Sequence, residues 1–172
     1  MALNILKNIE INEKNLNEKL NLLPNSLKRK TPKVFQLAYL AAREAILDLK
    51  KPQAIICVSP FGCLDETVSF LDKLHDTNFG SPKDFVFSVH NSLGAMLAKE
   101  FEILGPNLTM AADSVDFAEF CAEILEEKIV LLVYFNDKNE FAQKVLEKCG
   151  KERQGGSFAV ALLCEKTFSG IL

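Results

Sequence analysis

The sequence of 172 residues lacks tryptophan and contains only two histidines and eight glycines. The five cysteines are odd in number and scattered, so neither a disulfide framework nor a CxxC zinc site is expected. Neither GxxxxGK[ST] nor GxGxxG occurs, which leaves no glycine-rich phosphate loop. We therefore expect reduced thiols, no bound metal and no nucleotide or other cofactor.

Long apolar runs and a strong excess of one charge are also missing. No stretch approaches the roughly 18 uncharged apolar residues of a membrane-spanning helix, and the first residues lack a signal-peptide pattern. The net charge of −3 disfavours general binding to nucleic acid or to an anionic membrane. Residues 1–86 carry 12 basic and 10 acidic side chains, against 8 and 13 in residues 87–172. These features predict a cytoplasmic protein whose first half would meet any anionic partner.

The composition that remains is that of an ordinary globular chain, 48% hydrophobic and 25% charged, and a single domain over residues 1–172 is expected. Short apolar runs alternate with segments of helical periodicity, which predicts an α/β sheet with helical cover. Strands are predicted at 4–12, 53–59, 107–112, 129–135 and 157–164. Helices are predicted at 31–50, 65–75, 91–103, 114–127 and 140–149, and the stretch between the first strand and the first helix has the composition of a loop.

Several helix ends and faces can also be predicted. The Thr31 hydroxyl is expected to cap the first helix, and Asp113 the helix over 114–127. In the second helix, Val68, Leu71 and Leu74 are expected to face inward. The helix over 114–127 is expected to be mostly buried, with one solvent-exposed edge. That edge is an acidic stripe formed by Asp116, Glu119, Glu123 and Glu126.

Cys63 is the nearest approach to a nucleophile in the sequence. It follows Ser59-Pro60-Phe61-Gly62 and precedes a helix, whose N-terminal dipole would lower the pKa of a thiol. His90 would be its general base. The alternative is that Cys63 simply leads into the helix and that His90 is a hydrogen-bonded structural residue, because no third orienting group can be identified.

One basic cluster stands out in the first half of the chain. It consists of Lys28, Arg29, Lys30 and Lys33. Such a cluster is suited to dock an acidic protein or a phosphate-bearing ligand, and its alternative interpretation is a solvated loop end.

Three motifs between Ser81 and Phe135 occur in a characteristic order. They are Asn91-x-x-Gly94, then Gly105-Pro106-Asn107, then Thr109-Met110-Ala111-Ala112-Asp113-Ser114. This order resembles the N-terminal half of β-ketoacyl synthases, the condensing enzymes of fatty-acid and polyketide synthesis. The chain looks like the short synthase-like proteins found beside aryl polyene and related polyketide genes, often called chain-length factors. The resemblance implies a thiolase-like half fold, a mixed sheet with helices on both faces.

The resemblance also implies that the chain is not catalytic by itself. In the family a cysteine at the start of a buried helix accepts the acyl group, and here Asp113 stands at that position. A carboxylate cannot form the thioester, and the C-terminal half that supplies the other catalytic groups has no counterpart in this sequence. We expect a subunit that acts with a true ketosynthase and an acyl carrier protein. The alternatives are a small thiol-dependent enzyme using Cys63 and a homodimeric scaffold with no acyl ligand.

The family further predicts where a partner binds, because the strand before the nucleophile pairs with its counterpart in the other subunit. In this chain the strand comprises Asn107, Leu108, Thr109, Met110, Ala111 and Ala112. We therefore expect a homodimer in isolation, which exchanges for a ketosynthase heterodimer through the same edge.

Overall fold

The computed structural model describes residues 2–28, 31–137, 140–149 and 156–167, and these residues form one mixed five-stranded sheet. The strands are β1 (Ala2–Asn12), β2 (Ala54–Ser59), β3 (Asn107–Ala111), β4 (Ile129–Asn136) and β5 (Phe158–Thr167). Across the sheet the order is β1-β5-β4-β2-β3. β2 is parallel to β3 and β4, and β5 is antiparallel to both β1 and β4.

The helices lie on both faces of this sheet. They are α1 (Glu13–Lys19), α2 (Asn25–Lys28), α3 (Lys33–Ile46), α4 (Leu64–Thr77), α5 (Pro82–Ser88), α6 (Ser92–Glu100), α7 (Asp116–Ile124) and α8 (Glu140–Lys148). Helices α3 and α6 contribute to the core on one face, and α7 contributes to the core on the other. The predicted mixed sheet with helices on both faces is therefore confirmed. Within the described ranges, no helix is both long and apolar enough to cross a bilayer.

β2 is the most completely buried element of the sheet. All six of its residues are buried, because β3 and β4 flank it on either side and helices cover both of its faces. A strand buried on both faces is a continuous apolar run rather than an alternating one. This confirms the strand predicted from that run.

The stretch predicted as a loop between β1 and α3 is largely helical, so that prediction was wrong. Asn12 caps α1, because its side chain accepts a hydrogen bond from the Lys14 amide over 3.0 Å, and the Asn15 side chain accepts one from the Asn12 amide over 2.8 Å. Such a capping box satisfies amides that the first turn would otherwise leave unpaired. The asparagines that suggested a loop therefore start a helix.

The beginning of α3 also differs from the prediction. Pro32 occupies the N-cap position and no side-chain cap is present, so the expected Thr31 cap was wrong. Gln36 stabilises the junction instead, because its side-chain amide donates to the carbonyls of Leu27 and Thr31, each at 3.1 Å. One side chain on the first turn of α3 thus ties the helix to the segment before it.

Helix α4 exposes the side chains that were expected to face inward. Leu71 is 53% exposed and Leu74 is 40% exposed, while Val68 is only partly buried. None of the 14 residues of α4 is buried, because the helix packs mainly against α5 and not against the sheet. The predicted inward orientation of Leu71 and Leu74 was wrong.

Helix α7 is shorter and less buried than the sequence indicated. Ala118 and Ala122 are fully buried against the sheet, but Phe120 is 55% exposed and Ile124 is 67% exposed. The expectation of a mostly buried helix was therefore wrong. The acidic stripe is present on the solvent side, and among the described residues it makes no salt bridge.

Gly94 allows α6 to approach the sheet closely. A Cβ atom at this position would lie 2.6 Å from Asn107 Oδ1, 3.2 Å from Thr109 Oγ1 and 3.4 Å from Cys57 Sγ. The first distance is shorter than real Cβ contacts allow, so a larger residue would require the Asn107 side chain to rotate or α6 to move away from β2 and β3. The glycine of the Asn91-x-x-Gly94 motif is thus explained by helix–sheet packing.

We expect Gly94→Ala to lower the free energy of unfolding by about 1 to 3 kcal/mol, as overpacking of a close contact does. Alanine is intrinsically the better helix former by about 1 kcal/mol, so the steric cost has to exceed that gain. Urea denaturation measures the change. Ala95→Gly on the exposed side of α6 is the control that reports helix propensity alone. A Gly94→Ala protein more stable than the wild type would contradict the close packing.

Candidate functional site

The loops that carry the candidate chemistry meet at the carboxyl edge of the parallel strands. The Ala112 amide, just after β3, donates to the Ser59 carbonyl at the end of β2 over 3.3 Å. The Ser59 hydroxyl accepts a hydrogen bond from the Gly62 amide at 2.9 Å, and this bond closes the turn into α4. Because ligands bind outside the carboxyl ends of parallel strands, this edge is the candidate site.

Asp113 lies exposed in the connection between β3 and α7. Val115 is the N-cap residue of α7, and no side chain caps the helix, so the prediction that Asp113 is the cap was wrong. Its backbone carbonyl accepts a hydrogen bond from the Tyr134 hydroxyl at 3.3 Å. The Ser114 hydroxyl accepts one from the Asp116 amide, also at 3.3 Å. The position that resembles the family's nucleophile thus holds an exposed carboxylate.

Cys63 lies at the N-cap position of α4 but is only 2% exposed. Burial raises the pKa of its thiol to about 12, and the nearby negative charges of Glu66 and Asp137 add to that effect. The helix dipole, which favours the thiolate, is therefore outweighed by desolvation. At neutral pH Cys63 is a protonated thiol, which argues against the thiol-enzyme alternative.

His90 packs against the turn that precedes Cys63. A Cβ atom on Gly62 would lie 1.8 Å from His90 Nδ1, and Gly62 has a positive φ of 59°, so only glycine fits there. His90 Nε2 is buried without a hydrogen-bond partner in the described part of the chain, and no hydrogen bond links His90 to Cys63 there. The imidazole thus fills the space above Gly62, but the hydrogen bond that the structural alternative expected is not found at Nε2 among the described residues.

The remaining thiols divide according to burial. Burial raises the pKa of the Cys57 thiol, and it raises the pKa of Cys164 to about 12. Cys121 is partly buried and Cys149 is exposed. The Cys57 and Cys164 thiols are therefore expected to be poorly reactive, because the thiolate is the nucleophile.

Glu66 is a feature that the sequence reasoning missed. It lies in the first turn of α4, and one of its carboxylate oxygens is buried without a hydrogen-bond partner among the described residues. Burial raises its pKa to about 7, and the negative charges of Asp137 and Asp65 act in the same direction. An acidic residue three positions after Cys63 was the only available sequence signal. It says nothing of burial.

The predicted basic cluster is only partly described. Lys28 is exposed at the end of α2, and Lys33 forms a salt bridge with Glu13 at 3.3 Å, while Arg29 and Lys30 lie outside the described residues. Beside the cluster is a cleft of about 450 Å³ between the start of α3, α4 and α5. Its lining includes Thr31, Pro32, Glu66, Lys73, Lys83 and Phe87.

β3 is an edge strand, as the interface prediction requires. The Ala112 amide points to Ser59 of β2, and alternate residues of a strand direct their amides to opposite sides. The Met110 amide therefore also faces β2, whereas the Thr109 and Ala111 amides face away from it. Among the described strands, only β2 pairs with β3.

The side chains of this strand divide between the two faces of the sheet. Asn107 and Thr109 lie against α6 beside Gly94, and Met110 packs against the core beneath α7. Leu108, by contrast, is 37% exposed. Of the residues predicted as an interface, Met110 is therefore partly committed to the chain's own core.

Comparison with solved structures identifies this fold. A chain of the ketosynthase (ApeO) in complex with its chain length factor (ApeC) from Xenorhabdus doucetiae superposes with a TM-score of 0.71 and 21% identity, over 98% of this chain and 81% of that chain. The ishigamide ketosynthase/chain length factor superposes with a TM-score of 0.69 and 14% identity, over 89% of this chain and 48% of that chain. A chain of the type II polyketide synthase complex AntDE:AntF superposes with a TM-score of 0.67 and 10% identity, over 95% of this chain and 58% of that chain.

The molecule is therefore an α/β protein with a thiolase-like half fold of the ketosynthase type. It spans about half the length of the ishigamide chain. The family model described as the β-ketoacyl synthase N-terminal domain matches residues 6–171, so the chain belongs to that family. The sequence matches none of the curated proteins with which it was compared.

We expect Glu66→Gln to change the pH dependence of stability. A carboxyl whose pKa rises from 4.5 to about 7 on folding loses stabilisation as pH rises through that interval, because the unfolded chain ionises first. The free energy of unfolding of the wild type should thus fall above pH 7, where the buried Glu66 carboxyl must ionise. At pH 8 we expect Glu66→Gln to be more stable than the wild type by about 1 to 3 kcal/mol, a range that allows for the partial exposure of the carboxyl. At pH 4 the two should be equal.

Urea denaturation at both pH values measures this difference, with Asp72→Asn on the exposed side of α4 as the control. The loss of stability caused by ionisation of Glu66 should persist in Asp72→Asn and be absent from Glu66→Gln, whose remaining pH dependence comes from other groups such as Glu13 and Glu165. An equal pH dependence in wild type and Glu66→Gln would show that the Glu66 carboxyl titrates normally.

We expect brief alkylation at neutral pH to modify Cys149 first and to leave Cys63 unmodified, since Cys149 is exposed and Cys63 is buried with a raised pKa. Mass spectrometry of the native protein identifies the modified sites, and the urea-unfolded protein gives the reference rates. Rapid selective modification of Cys63 would instead support the alternative of a thiol-dependent enzyme.

Proposed function

We propose that this chain is a non-catalytic ketosynthase-like subunit that pairs with a complete β-ketoacyl synthase, in the manner of a chain-length factor. The pathway class is fatty-acid, polyketide or aryl polyene biosynthesis, in the cytoplasm. Family membership and the neighbouring ketosynthase/chain length factor structures support the class. The carboxylate of Asp113 at the nucleophile position supports the lack of catalysis, because it cannot form an acyl thioester.

The observation that carries the proposal is the contrast between the two edges of the sheet. β1 carries Lys7 and Glu10 and has a bulge between Ile5 and Lys7, and charges and bulges are the usual means of blocking an edge strand from further pairing. β3 has neither a charged residue nor a proline, and its register with β2 is regular. The β3 edge is thus the one suited to accept another strand.

The basic cluster fits the same role. Lys28 is exposed, and Lys33 is more than half exposed in spite of its salt bridge. We infer that these residues, with Arg29 and Lys30, attract an acidic acyl carrier protein. The stripe on α7 is acidic and would repel such a partner, so the two surfaces would direct the carrier to the side of α2 and α3.

We expect Ala111→Pro to weaken binding to the ketosynthase partner by at least about tenfold. Proline removes the Ala111 amide, which faces away from β2 and is available to a partner strand, while the internal ladder keeps its hydrogen bonds. The binding constant is measured with a complete β-ketoacyl synthase encoded in the same gene cluster, by sedimentation at several concentrations. Circular dichroism verifies that the variant is folded.

Asp113→Asn is the matched control, because it alters the nucleophile position without changing the strand edge. Both the association and the condensing activity of the complex should be unchanged in it. Loss of condensation in Asp113→Asn would contradict the non-catalytic role, and full binding by a folded Ala111→Pro variant would exclude β3 as the interface. A wild type that forms only homodimers would instead favour the scaffold alternative.

A further inference from the structure

The cleft between the start of α3, α4 and α5 is a cavity that the proposed function does not use. Its volume of about 450 Å³ lies within the range of about 300 to 1,000 Å³ that is typical of small-molecule sites. Glu66 and Lys73 line it from α4, and Lys83, Asp84 and Phe87 line it from α5. We call this cavity the charged cleft.

Helical spacing brings these side chains to the same cavity. Glu66 and Lys73 stand at positions i and i+7 of α4, and Lys83 and Phe87 stand at positions i and i+4 of α5. Residues at these spacings lie on one face of a helix. Each of the two helices therefore turns one polar face toward the charged cleft.

The walls of the charged cleft are held by contacts with the rest of the chain. The Phe87 ring packs edge-on against the Phe35 ring of α3, with centroids 5.3 Å apart. The Thr67 hydroxyl of α4 lies 2.9 Å from the Ser88 carbonyl at the end of α5. The cleft is consequently formed before any ligand arrives, which lowers the cost of ordering it on binding.

The two lysines of the charged cleft already have partners within the chain. Lys73 Nζ lies 2.7 Å from Asp84 Oδ2, so these two charges neutralise each other. Lys83 Nζ lies over the Phe87 ring, 5.5 Å from its centroid, and aromatic faces attract ammonium groups. Neither lysine therefore needs an anionic ligand.

Glu66 is the lining residue that has an unsatisfied oxygen. Its Oε2 atom is buried and has no hydrogen-bond partner among the described residues. A buried polar atom without a partner costs free energy, and the cost is larger when the group is charged. A ligand that brings a hydrogen-bond donor and a positive charge to this carboxyl would remove that cost.

The electrostatic surroundings of Glu66 also favour a cation. The negative charges of Asp65 and Asp137 lie near enough to raise its pKa, so the potential at this carboxyl is negative. In the described part of the chain, no three His, Cys, Asp or Glu side chains are arranged to hold a metal ion. The cation that fits is therefore an organic ammonium group, of the kind that the Phe87 ring already contacts in Lys83.

We propose that the charged cleft binds an alkylammonium group, with the Glu66 carboxylate as its counterion and the Phe87 ring as part of its wall. A free primary amine and a lysine side chain of another protein share this chemistry. The ligand competes with Lys83 for the cleft and binds the ionised form of Glu66. The inference does not depend on a ketosynthase partner, so it can fail while the proposed function stands.

The test titrates the full chain with n-butylamine hydrochloride at constant ionic strength and follows the backbone amide resonances by NMR. We expect shifts confined to residues around the cleft, in 64–73 and 82–88. The dissociation constant should fall about tenfold from pH 6 to pH 8, because a carboxyl with a pKa of about 7 ionises over that interval while an alkylammonium keeps its proton up to about pH 10. The uncharged n-butanol should bind at least tenfold more weakly.

Three variants locate the binding on the proposed groups. Glu66→Gln should weaken butylamine binding at least tenfold at pH 8 and remove its pH dependence. Asp72→Asn, at an exposed position of α4 outside the cleft, is the matched control and should change the affinity less than twofold. Lys83→Met should tighten binding at least twofold, since it removes a competing ammonium group.

Equal butylamine binding by the wild type and a folded Glu66→Gln protein would overturn the inference. Weaker binding by Lys83→Met, or a higher affinity of the cleft for inorganic phosphate than for butylamine, would overturn it as well. The pH profile and Lys83→Met decide the question even if Glu66→Gln fails to fold. The methylamide of α-N-acetyl-lysine separates the two sources: tighter binding than butylamine supports a protein lysine as the ligand, and weaker binding supports a free amine.

Discussion

The complete burial of β2 is the constraint on which the rest of the structure depends. A strand with no exposed residue needs a hydrogen-bonded neighbour on each side and an apolar layer on each face. β4 and β3 meet the first need, and α6 and α7 help to meet the second. The close contact at Gly94 lets α6 cover both β2 and β3. Among the described strands the sheet then ends at the short strand β3, which pairs only with β2.

Burial also decides the chemistry of the carboxyl edge. The start of a helix favours negative charge, which would lower the pKa of both Cys63 and Glu66. Both pKa values are raised instead, because each side chain is largely removed from water and lies near other acidic groups. An edge that could have held a reactive thiolate therefore holds a neutral thiol and a carboxyl that titrates near pH 7. This environment disfavours the nucleophilic thiolate form of Cys63.

Two helices of this protein expose apolar side chains for the same physical reason. Amphipathic periodicity shows that a helix has an apolar face, but it does not show which other element lies over that face. In α7 the small residues Ala118 and Ala122 contact the sheet, and the larger Phe120 and Ile124 point away from it. In α4 the face that includes Leu71 lies over no described element. Both helices thus expose large apolar side chains to solvent in the described structure.

The sequence by itself determined the fold class, because continuous apolar runs marked β2 and β4, helical periodicity marked α3, and the ordered motifs from Asn91 to Ser114 carried the family resemblance. It also placed an aspartate, Asp113, after the strand of the last motif, where the resemblance predicts the nucleophile. Only the tertiary structure decided that Cys63 and Glu66 are desolvated, that Leu71 is exposed, and that β3 lies at one edge of the sheet formed by the described strands. Each of these properties depends on which distant segments lie alongside, and local pattern carries no information on such neighbours.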